Sequence, residues 1–177
     1  MSQMHQMQVS YVSTEDRLLL RLNTKSRQEF RFWMTRRYAA LLWNALIKVI
    51  DEAAKSPGKP SVAEIQDPLV KTAEQEVKHQ EVVSQSDFKT EYQESTYLPL
   101  GEEPVLLFGI GLKSNEEGQP VLGMHPENGQ GIEMVLNEQI VHSLCKLLAD
   151  TTKKADWRLD LNFSEPTGEE GGTAGLN

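Results

Sequence analysis

The chain carries a single cysteine, Cys145, in 177 residues. One thiol excludes an internal disulfide framework. Long apolar runs are missing too: none approaches the ~20 residues needed to cross a bilayer. The start, MSQMHQMQVSYVS, has no basic cluster followed by an apolar stretch, so no secretory signal is read there. These absences lead us to expect a cytoplasmic protein with no membrane partner. Catalytic signatures are equally scarce. There is no G-x-S-x-G elbow and no H-E-x-x-H pair. Six of the seven arginines lie before residue 38, which leaves the rest of the chain with almost none.

What is present is an ordinary polar balance, 38% hydrophobic and 25% charged, at a length that supports one well-buried core. Charge is unevenly spread. Residues 1–48 hold eight Lys/Arg against three Asp/Glu, a net of +5; residues 49–177 hold ten against 23, a net of −13. Such asymmetry marks either an acidic-partner or nucleic-acid surface on the basic part, or internal docking of the two parts. In a chain of net charge −8 we favour internal docking.

A second pattern concerns architecture. Residues 29–46, EFRFWMTRRYAALLWNAL, lie without a gap over residues 131–148, GIEMVLNEQIVHSLCKLL, and apolar types coincide at ten positions from Phe30/Ile132 to Leu46/Leu148. Thr35 and Asn137 also coincide, and both are helix-capping types. In each copy a period of two changes to 3.6 at that residue, so each should run from strand to amphipathic helix.

The remaining elements extend this pattern. Alternation over 6–13, 17–22 and 28–34 reads as three strands, the last two joined by a five-residue loop, before a helix ending near Lys55 at Ser56-Pro57-Gly58. PVLLFGIGL (104–112) is nearly continuous in apolar residues and reads as a strand buried on both faces. PVLGM (120–124) and QGIEMVL (130–136) follow, separated by the hairpin signal Asn128-Gly129, and Asn137 opens a helix to about Lys153. WRLDLNF (157–163) alternates as a final strand. Residues 56–103 differ in kind. Asp67-Pro68 starts a helix with a thin apolar stripe, followed by the polar stretch 84–98, so this region reads as an insertion and the most mobile part. The tail 164–177, with four glycines and three glutamates, is expected to be disordered. The fold class is therefore α+β: antiparallel meanders on two main helices, as two similar β-β-β-α halves (1–55 and 104–163 with its final strand) joined by a polar helical insertion (56–103).

Candidate chemistry is sparse. GIGLKS (109–114) lacks the glycine before Lys113 and the following helix that a phosphate loop needs, so a hairpin is the better reading. His142 and Cys145 share a helix face at i, i+3, yet structural zinc needs four ligands and no second cysteine exists. Cys145 reads as a small buried hydrophobe and the remaining histidines, His5, His79 and His125, as isolated. No catalytic set, metal or cofactor is implied. The one constellation with content is a sheet face carrying Arg17, Arg21, Arg31 and Trp33, a cationic surface with a stacking platform. Arg36 and Arg37 lie in the first helical turn, against the helix dipole, and should meet something acidic, within the protein or outside it. The expected function is a non-catalytic interaction or assembly module with protein partners, a second copy of the chain being one option. Nucleic-acid binding through the basic face comes second, and an enzyme without a legible motif third.

Overall fold

The computed structural model describes residues 3–55 and 67–163. The expected disordered tail and the start of the insertion lie outside them. Three strands, β1 (Met4–Val12), β2 (Arg17–Thr24) and β3 (Glu29–Met34), lead into α1 (Arg36–Ala54). α2 (Pro68–Ser84) follows, then β4 (Val105–Ser114), β5 (Pro120–Pro126), β6 (Ile132–Val135) and α3 (Glu138–Lys154). The fold is α+β. The strands form one six-stranded sheet in sequence order, antiparallel at every seam but one. At that seam β3 runs parallel to β4 through Phe32↔Val105 and Trp33↔Leu106, so the sheet is mixed rather than purely antiparallel.

Local chemistry explains the boundaries. Alternation puts Leu18, Leu20 and Leu22 of β2 and Phe32 and Met34 of β3 on one face, all at 0–2% exposure. The Thr35 side chain accepts the Tyr38 N–H at 3.2 Å and starts α1, and Asn137 accepts the Ile140 N–H at 2.8 Å and starts α3. α1 and α3 both pack on the leucine face of the sheet. Their buried stripes, Tyr38, Leu42, Trp43, Leu46 on α1 and Val141, Leu144, Cys145, Leu148 on α3, close a single core.

The helices cross to neighbouring strands. α1 leaves β3 and packs over β4; α3 leaves β6 and packs over β1, where Thr151 Oγ1 donates to the Val9 carbonyl at 3.4 Å. Residues of the first and last strands line one common space.

Two expectations fail. β4 is not buried on both faces: Leu107 is 2% exposed, but Leu106 and Phe108 are 43% and 53% exposed. A register irregularity between Leu107 and Gly109 breaks the run there. Residues 157–163 form no strand. The φ values of Asp156 (51°) and Arg158 (53°) turn the backbone out of the extended region, and Trp157 and Phe163 are instead buried singly as plugs. Trp157 Nε1 donates to Asp16 at 3.0 Å, and the Phe163 ring packs against Trp43 at 5.7 Å between ring centres, tilted by 45°.

Candidate functional site: an edge groove and a strapped outer face

β1 and β6 are the terminal strands of the sheet, and each has one edge that pairs with no strand among the described residues. Both line one open groove of about 1350 Å³. Its apolar lining includes Met7 of β1, Phe30 of β3, Ile132 and Met134 of β6, and Ile140 and Leu147 of α3. Amide side chains dominate the polar lining, among them Gln6, Gln8, Asn23, Gln130 and Gln139. The Lys and Asp/Glu residues lining it nearly balance, Lys25 and Lys89 against Asp87, Glu91 and Glu133. Such a groove has apolar surface to bury, neutral donors and acceptors, and two edges that pair with no strand among the described residues.

A strap crosses the mouth of this groove. The chain leaves α2 beside α3, where Lys146 lies over the Phe88 ring at 5.5 Å. It then reaches the opposite face of the sheet, where Asn23 Nδ2 donates to the Gln93 carbonyl at 2.8 Å and Gln93 N–H donates to Gln6 Oε1 at 3.1 Å. Between these anchors, residues 86–93 line the groove. Further on, Ser95 N–H donates to Glu29 Oε2 at 2.7 Å, and Glu29 N–H to the Tyr97 carbonyl at 2.9 Å.

The strap lies on the face that the sequence marks as basic. Arg21 and Arg31 are directly opposed across β2 and β3. Glu29 lies between them, 2.7 Å from Arg31 Nε and 3.5 Å from Arg21 Nε, and is 1% exposed. Arg21 also bonds Glu94 of the strap, and that guanidinium holds the Glu94 carboxyl below its ordinary range. The Arg21 guanidinium stacks over Tyr92 at 5.1 Å, and burial raises the pKa of the Tyr92 hydroxyl, which has no hydrogen-bond partner among the described residues. Arg17 lies 3.9 Å from Glu15. Trp33 is half-buried beside Leu19 and Leu106. Among the described residues Arg36 and Arg37 pair with no acidic side chain. Arg36 Nε donates to the Trp157 carbonyl and Arg37 Nη2 to the Phe108 carbonyl, each at 2.8 Å, so their charge meets carbonyl dipoles instead.

One pair escaped the sequence reading. His79 of α2 and His142 of α3 approach with their Nδ1 atoms 3.0 Å apart, and the Phe163 ring lies 4.9 Å from the His79 ring. Burial, then the neighbouring His79, lowers the His142 pKa to about 4; burial, then Lys146, lowers that of His79. They are 63 residues apart, and only the placement of α2 on α3 joins them. A polar helix carrying a mid-face histidine was the one available signal. Cys145, three residues further along α3 than His142, is fully buried in the core. Among the described residues no three His, Cys, Asp or Glu side chains cluster as a metal site would need, and no helix is long and apolar enough to cross a membrane.

No protein-family model, no curated protein and no solved structure matches this chain.

Proposed function

We propose that this chain is a protein-interaction module that takes up an extended segment of a partner polypeptide in the groove between β1 and β6. The observation that carries this reading is the pair of unpaired strand edges facing one apolar, amide-lined space. An added strand would satisfy backbone donors and acceptors on those edges and bury alternate side chains on the groove floor, the β-augmentation mode of peptide recognition. The near-balance of charged side chains in the groove favours a partner segment without an excess of either sign, apolar at every second position.

The two β-β-β-α units support the same reading if they are equivalent halves, as the offset of 102 residues suggests. The first unit meets the second through the parallel β3–β4 seam. The corresponding seam would join β6 to β1, and the groove stands in its place. A partner strand would complete a ring of strands that the chain alone leaves open.

The test is selection of binding peptides from a random library against the full chain, followed by amide-exchange mapping of the complex. Protection gained along residues 4–8 and 132–135 is the expected outcome. Ile140→Glu, which puts a charge on the groove floor, should weaken binding more than tenfold while leaving the fold intact. Peptides that protect neither edge, or that ignore Ile140→Glu, would refute the reading.

A further inference from the structure

α2 buries none of its residues, so its attachment cannot rest on an apolar stripe. Polar contacts hold it. Gln75 donates to Asp51 of α1 at 2.7 Å, Lys71 lies 3.3 Å from the same carboxylate, and Lys78 pairs with Glu138 of α3. The fourth contact is the imidazole pair, and its α3 member, His142, is 3% exposed. Two Nδ1 atoms 3.0 Å apart need one N–H and one lone pair between them. A first added proton goes to the donor ring's Nε2 and leaves that bond in place, but it charges a site covered by Phe163. A second proton puts N–H groups on both facing atoms and breaks the bond.

We propose that His79 and His142 form an acid-sensitive latch that holds α2 on α3 near neutral pH and releases α2, together with the groove-crossing strap 86–93, on acidification. Release of α2 stands on the geometry and burial of the imidazole pair; control of the groove rests on the function proposed above. The charges around the pair do not protect it from this. α2 contributes Glu76 and Lys78, and α3 contributes Glu138, Lys146 and Asp150. The lysines oppose a further positive charge and the carboxylates favour it, while burial leads and sets the direction downward for both rings. From α1, Asp51 faces Lys71 and Gln75 nearer the start of α2, and the segment carrying Phe163 contributes a ring rather than a charge.

Because both rings titrate lower when docked than when free, the contribution of the imidazole pair to docking is complete above the ordinary imidazole range and is lost as pH falls from there toward about 4, the value at which docked His142 titrates. His142 alone then shifts the docking equilibrium roughly 25-fold between about pH 7.5 and about pH 5, above the range in which most carboxylates protonate.

Amide protection factors of the full chain, corrected for intrinsic exchange, read this directly. Residues 68–84 should lose at least tenfold in protection over that interval, with 86–93 following and β2 and β3 unchanged. The double variant His79→Phe/His142→Leu, which keeps apolar bulk and removes both titrations, should show no such loss. Unchanged protection of α2 in the wild type, or equal loss in the variant, would overturn the latch. Should the variant fail to fold, imidazole titration of the wild type by NMR decides: both rings titrating in the ordinary range while α2 stays protected also overturns it. Library peptides separate the two readings. If none binds at either pH while α2 releases, the groove function fails and the latch stands. If a peptide binds equally well to latched and released forms, control of the groove is refuted.

Discussion

Glu29 is the residue on which the outer face turns. Strand alternation places it outward, where a glutamate is ordinarily solvated, yet the strap covers it to 1% exposure. It compensates two arginines that oppose each other directly across β2 and β3, a like-charge arrangement that is unfavourable by itself. Glu29→Ala removes this compensation and the acceptor for the Ser95 N–H, and should cost about 3 kcal/mol in urea unfolding, the low end for breaking a buried pair, because both guanidinium side chains keep some solvent contact. Cys145 makes the opposite case, a reactive type rendered inert. Burial pushes its thiol up to about 12, so almost no thiolate exists near neutrality. A thiol reagent should find no reactive group in the native protein and one per chain in denaturant. Rapid labelling of the folded chain would contradict the packing of α3.

At the scale of elements, what could be read from sequence was what local periodicity encodes. The alternation in RLLLRL and EFRFWM and the 3.6 period after Thr35 and Asn137 are short-range signals, and the elements begin where those signals change. WRLDLNF alternates just as clearly but pairs with no strand among the described residues, and the positive φ of Arg158 turns it into a packed tail. Alternation specifies a face, not a partner. The strap was illegible for the same reason. Its contacts with the sheet join residues 66 to 87 positions apart, such as Ser95 with Glu29 and Gln93 with Gln6, and no local pattern announces them. The helix stripes are testable where they coincide. Leu42→Ala and Leu144→Ala, at 0% and 1% exposure, should each lower stability by about 2–5 kcal/mol. Thr35→Ala and Asn137→Ala, which remove only the caps, should each cost about 1 kcal/mol. A large effect at one leucine and none at the other would argue against equivalent halves.

At the scale of the whole molecule, charge separation along the chain becomes charge contact in space. The basic segment 1–48 and the acidic remainder meet where the strap crosses the arginine face, and Glu94 from the acidic part bonds Arg21 from the basic part. Binding to a nucleic acid must compete with this arrangement. Phosphates would have to displace Glu94 from Arg21 and reach Arg31 past Glu29, against the field of a molecule with net charge −8. Counterion release makes any such complex strongly salt-dependent, so the comparison is sharpest between low and physiological salt. We expect no measurable binding of single-stranded DNA or RNA at physiological salt. Replacing Arg21 and Arg31 together by Ala should act on stability instead, because it leaves Glu29 buried without a counter-charge. That double variant should therefore unfold at lower urea concentration than the wild type, with no change in nucleic-acid retention. A salt-sensitive complex of micromolar affinity or tighter that disappears in the double variant would reverse the assignment and make the arginine face the binding surface. The strap would then have to move aside, and residues 86–97 would gain exchange on binding. If the groove is the binding surface, a bound peptide should protect the β1 and β6 edges while the arginine face keeps its strap.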